Sequence, residues 1–207
     1  MKTLDRLLIA DLKRMWGQAL AICAVLACGV ATFVMSTTTM RSLEVTYDHY
    51  YRDYRFADVF VSLKRAPNQF AARLREIPGV ERVDTRVVRS VILDIPTMVE
   101  PASCRLVSIP DHPGQNLNAI HLRRGRLPDP GRRGEVLASE MFAEAHRLRP
   151  GDTVKVIMGG REERLRIVGI AMSPEYIFAV QPGMFLPDNR RFGVLWMPYR
   201  QMAAALN

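Results

Sequence analysis

Apolar positions are spread unevenly along this chain. Trp16 to Met35 reads WGQALAICAVLACGVATFVM, 20 residues without a charge and with Gln18 as the strongly polar exception. A helix of about 20 apolar residues at 1.5 Å rise crosses a hydrocarbon layer of roughly 30 Å. The pattern therefore predicts a transmembrane helix over 16–35. Upstream, Leu4, Leu7, Leu8, Leu12 and Met15 recur at helical spacing among Asp5, Arg6, Asp11 and Lys13. That predicts an amphipathic helix over 1–15, lying on the inner membrane surface, with a plain basic flank as the alternative. Downstream, Leu43, Tyr47, Tyr50 and Tyr54 continue a helical stripe. Residues 36–55 are expected to carry the helix out of the membrane as a stalk, its tyrosines serving packing rather than a ligand cage.

Beyond residue 55 the period changes. Phe56 to Leu63 (FADVFVSL) is rich in β-branched and aromatic residues and reads as a strand. Pro67 opens a helix with Phe70, Ala71, Leu74 and Ile77 on its apolar face, stopped by Pro78-Gly79. Val80 to Ile95 alternates as one or two strands, and Ser103 to Ile109 as another. These make a first lobe, 56–110. Residues 111–133 carry Pro, Gly and Asn with Arg123, Arg124, Arg126, Arg132 and Arg133. They read as a solvated linker, with lipid headgroup contact as the alternative. A second lobe, 134–197, follows. It comprises a strand over Gly134–Ala138, a helix capped by Ser139, and a hairpin turning at Gly159-Gly160. Then come a strand over Tyr176–Val180, a Pro/Gly loop from Gln181 to Arg191, and a strand over Phe192–Met197. Pro198 begins a helix within which the chain stops, at Asn207, so that 198–207 reads as a truncated element. The fold class is α+β: one N-terminal transmembrane helix, then a two-lobed extracytoplasmic α/β domain, 56–207, with mixed and antiparallel sheets.

Charge gives the helix a direction. Lys2, Arg6, Lys13 and Arg14 precede it, whereas Arg41, Glu44 and Asp48 follow. By the positive-inside rule the N-terminus is cytoplasmic and the long part lies outside. A cleaved signal peptide has a shorter apolar core and a small-residue cleavage site, neither of which is found here. A lipoprotein box ending at Cys28 is followed by Gly-Val-Ala-Thr-Phe-Val-Met rather than by a polar tether. A retained helix is therefore favoured over both. Gly17, Ala21, Ala24, Cys28 and Ala31 have spacings that permit close helix approach, though small residues are common in such helices. The net charge of +8 admits an anionic partner. No basic helix or RNA-binding signature points to nucleic acid.

The chain carries no recognisable chemistry. His49, His112, His121 and His146 lie in separate segments with no ligand at helical spacing. No GxSxG elbow is present. Gly159-Gly160 leads into Arg-Glu-Glu rather than a phosphate loop, and Glu162-Glu163 reads as a solvated turn. Cys23 and Cys28 fall in the apolar helix and Cys104 stands alone, so no disulfide framework exists in the outer part. No enzyme activity, cofactor or metal is expected.

Four stretches in order carry a family resemblance: Leu4-Asp5-Arg6 leading through Met35; Tyr54-Arg-Phe-Ala-Asp-Val-Phe60 with Ile77-Pro-Gly-Val80-Glu-Arg-Val83; Gly125-Arg-Leu-Pro128 with Gly134-Glu-Val-Leu-Ala-Ser-Glu140 and Pro150-Gly-Asp-Thr-Val154; and Arg166-Ile-Val-Gly-Ile170 with Ser173-Pro-Glu-Tyr176. The chain resembles the N-terminal part of an ABC transporter permease of the FtsX/MacB type. The resemblance implies a bacterial inner-membrane subunit whose periplasmic core domain transmits ATPase-driven motion to a lipoprotein, lipid or peptide. It also implies a cytoplasmic ABC ATPase partner, engaged through further helices not found in this chain, and a dimer of permease subunits in contact with membrane lipid. A reading of another class is a single-pass sensor whose outer domain binds a ligand. For contacts, Phe178, Met184, Phe185, Leu186, Phe192 and Trp196 cluster in and around the Pro/Gly loop. They form either a partner or membrane surface, or the core of the second lobe, which is the reading favoured.

Overall fold

The computed structural model describes residues 10, 13–64, 66–67, 69–95, 98, 100–111, 114 and 116–206. The expected amphipathic helix lies outside the described residues except for Ala10 and residues 13–15. The chain divides into two compact units, Met1–Tyr50 and Tyr51–Asn207.

The first unit is dominated by α1, Trp16–Asp53, a helix of 38 residues that merges the expected span and stalk. It is long and apolar enough to cross a membrane, and none of its residues is buried. A helix apolar on every side requires lipid or protein around it. Its threonines stay helical by bonding backward. Thr32 Oγ1 donates to Cys28 O at 2.8 Å, Thr37 to Phe33 O at 3.0 Å and Thr46 to Ser42 O at 2.8 Å. The hydroxyls are thus satisfied without water.

The second unit contains α2 (Phe70–Arg75), β1 (Val88–Asp94), β2 (Ala102–Ile109), β3 (His121–Gly125), β4 (Glu135–Ser139) and α3 (Glu140–His146), followed by β5 (Thr153–Met158), β6 (Arg161–Met172), β7 (Phe192–Pro198) and α4 (Tyr199–Leu206). The ladders form a circuit. β1 pairs antiparallel with β2, β2 parallel with β7, β7 antiparallel with β4, and β4 parallel with β6. β6 then pairs antiparallel with β5, and β5 antiparallel with β1. The ring closes because β6 is 12 residues long: its first half pairs with β5 and its second half with β4 and β3. Closure leaves β3 as an added edge and removes most exposed ladder positions.

Alternation then builds two cores. Leu93, Cys104, Leu106, Val136, Ala138 and Leu195 point into the ring, joined by Phe142 of α3 and Met202 of α4. Their neighbours Val107, Leu137, Val194 and Trp196 point the other way and form a second cluster with Phe192 and Ala179. Each large side chain so buried contributes roughly 1.5–3 kcal/mol.

The local elements follow the sequence closely, and the long-range ones depart from it. The hairpin turns at Gly159-Gly160, both at positive φ (55° and 80°), as a two-residue primed turn requires. The two expected lobes share one sheet, since β2 from the first pairs with β7 from the second. Phe56–Leu63 and Val80–Val87 are not strands: among the described residues they have no ladder, and apolar composition alone does not make one. The 111–133 linker contains β3 rather than being loop throughout. Tyr176–Val180 is not a strand either. Pro174 starts a 3-10 turn there, Pro174–Tyr176, because its ring fixes φ and supplies no N–H to a ladder. Ser139 does sit at the N-cap of α3, but its hydroxyl accepts the Val194 N–H at 3.3 Å, so it serves β7 instead of the helix.

Candidate contact loop

Residues 177–191 link the 3-10 turn to β7 and split the six apolar candidates. Phe192 and Trp196 are 4% and 1% exposed, so they belong to the second core and are not contact residues. The cause is register: Trp196 lies opposite Leu137 of β4 and Val107 of β2, on the covered outer face of the sheet. Phe178, Met184, Phe185 and Leu186 are 79%, 55%, 99% and 77% exposed. Both groups are equally apolar, so composition could not separate them.

The base of this loop is held firmly. Asp188 Oδ1 accepts the N–H groups of Arg190 (3.0 Å) and Arg191 (3.2 Å), and Asp188 O accepts the Phe192 N–H at 2.9 Å. His146 Nε2 lies 2.8 Å from Arg190 O, which ties the loop to α3. At the other end Glu175 pairs with Arg86 at 2.5 Å, and burial pushes the Tyr176 hydroxyl up to about 12, with Glu175 adding to the effect. The tip is stiffened by Pro182 and Pro187 and turns through the Met184 N–H bond to Gln181 O at 3.0 Å. An apolar tip on a braced base is suited to contact, since little ordering entropy remains to be lost.

Under this loop runs a crevice lined by Met141, Met172, Tyr176, Ile177, Phe192 and Trp196. Its volume of about 20 Å³ holds one water, against the several hundred Å³ of a small-molecule site. Among the described residues no group of three or more His, Cys, Asp or Glu side chains could hold a metal ion. The thiol of Cys104 is wholly buried and burial pushes it up, away from reactivity.

The motif residues singled out in sequence meet at a different place. Gly125 of β3 stands opposite Gly169 of β6. Arg126 grips both carboxylate oxygens of Glu135, one at 2.7 Å, and the Asp129 N–H donates to Glu135 at 2.9 Å. The Arg126 guanidinium holds the buried Glu135 carboxyl below its usual range. A Cβ at Gly125 would also press on Pro150 at 3.1 Å. The GRLP, GE, PGD and VGI stretches are thus one structural node, joined by the Gly125–Gly169 pairing, the Arg126–Glu135 pair and the Gly151 N–H bond to Ile167 O at 2.7 Å. Of the arginine cluster, Arg123 pairs with Glu140 at 3.0 Å and Arg132 with Asp129 at 3.6 Å.

No family model and no curated protein matches the chain. Among solved structures it is similar to the extracellular domain of the noncanonic ABC-type transporter YknZ from Gram-positive bacteria, at 16% identity over 73% of each chain and a TM-score of 0.43.

Proposed function

We propose that this chain is a membrane-anchored permease subunit of an ABC transporter, or the N-terminal part of one, of the FtsX/MacB kind. Its outer domain acts without catalysis, as a transmitter of motion to an envelope lipoprotein, lipid or peptide. The observation that carries the reading is that one chain joins a helix of spanning length, continuous to Asp53, to a closed domain that exposes a braced apolar tip at Phe178 and Met184–Leu186, beside a second exposed apolar run at Val59–Val61. In this reading the N-terminus is cytoplasmic and the domain periplasmic. An ABC ATPase on the inner side drives a dimer of such subunits, and the tip is the surface that meets the envelope partner. The sensor alternative requires a ligand cavity, and the small crevice gives it no support.

A photo-crosslinker at Phe185, in membranes of the native host, tests this. The expected products are an adduct with an envelope component that changes in yield with ATP, and recovery of an ABC ATPase with the tagged chain in mild detergent. A chain that recovers no ATPase, and whose melting temperature rises on adding a small envelope metabolite, would instead establish the sensor.

A further inference from the structure

The outer face of the β5–β6 hairpin gathers cations that the sequence keeps apart. Leu165 and Ile167 point into the ring, so Arg164 and Arg166 point outward side by side. In register Arg164 lies directly opposite Lys155. On the other flank Arg166 stands in register with Glu135, whose carboxylate is already taken by Arg126, and its N–H donates to Gly134 O at 2.7 Å, the residue next to Arg133 in the chain. Like charges opposite one another weaken a strand pair. Lys155 is compensated by Glu162 at 3.3 Å and Asp94 at 4.0 Å. Arg133, Arg164 and Arg166 are exposed and form no ion pair among the described residues.

We infer that Arg133, Arg164 and Arg166 form a docking face for an anionic lipid surface. Guanidinium groups bind phosphate oxygens in pairs. Three of them spread over an open sheet face match an array of headgroups better than one enclosed anion. The same chain carries a helix of spanning length, which keeps lipid at high effective concentration. The inference does not depend on the permease reading.

The test uses the full chain in neutral-lipid nanodiscs, floated with phosphatidylcholine vesicles with or without phosphatidylglycerol. Wild type is expected to bind only the anionic vesicles, and to release as salt rises from 50 to 300 mM. Replacing Arg133, Arg164 and Arg166 by Gln should weaken binding about fivefold each, roughly a hundredfold together. Replacing Lys64, Arg73 and Arg89 by Gln removes the same charge elsewhere and should change it little. Equal losses in the two triple variants would overturn the inference, since net charge alone would then explain binding. Equal binding to both vesicle types would do the same, as would binding lost in Phe185→Ser but kept in the arginine variant. Melting temperatures of the variants check folding, and the wild-type salt dependence needs no variant at all.

Discussion

Gly125 and Gly169 face each other across the β3–β6 ladder, and neither position has room for a side chain. A Cβ at Gly169 would lie 2.6 Å from Arg126 O and 2.8 Å from Leu137 Cδ2. Gly125 sits at φ 81°, where other residues are strained, and its Cβ would meet Val168 O at 2.3 Å. Gly169→Ala is therefore expected to cost about 1–3 kcal/mol or more, because the nearest obstacle is backbone. In thermal unfolding this is a fall of roughly 2–4 °C per kcal/mol. An unchanged midpoint would show that β3 can move away from β6 freely.

A similar crowding ties α3 to the sheet. The buried ring of Phe142 lies over Gly193, where a Cβ would come within 2.6 Å of its carbons. Gly193→Ala is expected to destabilise by about 1–3 kcal/mol. Phe142→Leu should recover part of that loss in the double variant, a non-additivity that urea unfolding would measure.

The Arg126–Glu135 pair predicts a pH dependence. Glu135 titrates below its usual range in the folded chain and near about 4.3 when unfolded. The folded state thus takes up the proton less readily. The stabilisation is complete above the unfolded value and is lost as pH falls through the folded one. Glu135→Gln should lower the melting temperature at pH 7 by about 4 °C. The gap between variant and wild type should then close below about pH 4. A gap constant from pH 7 to 3 would exclude the carboxylate as its source.

Phe185 and Trp196 should respond oppositely. Phe185→Ser is expected to leave the melting temperature within about 2 °C, since a 99% exposed ring contributes little to the fold. Trp196→Ala empties a wholly buried site and should cost about 3–5 kcal/mol. A drop of many degrees for Phe185→Ser would place that ring in a core after all.

Cys104 should be inert to thiol reagents in the folded chain and react only on unfolding, at the rate at which the domain opens. Reaction in native buffer faster than global unfolding would reveal local opening of β2.

Elements that depend on neighbours along the chain are legible in the order of residues. The long apolar helix follows from an uncharged run, the β5–β6 hairpin from alternation around Gly159-Gly160, and α3 from the pattern after Ser139. Each is held by contacts within a few residues, so its signal is local. Tertiary structure alone decided that Ala102–Ile109 runs parallel to Phe192–Pro198 across an intervening stretch of more than 80 residues, merging two lobes into one ring. It left Phe56–Leu63 without a ladder despite its strand-like composition, because a strand exists only where a partner supplies hydrogen bonds. It also buried Trp196 in the second core and left Phe185 in solvent. Apolar character requires that water be avoided where possible, and only the closed sheet determines which side chains can avoid it.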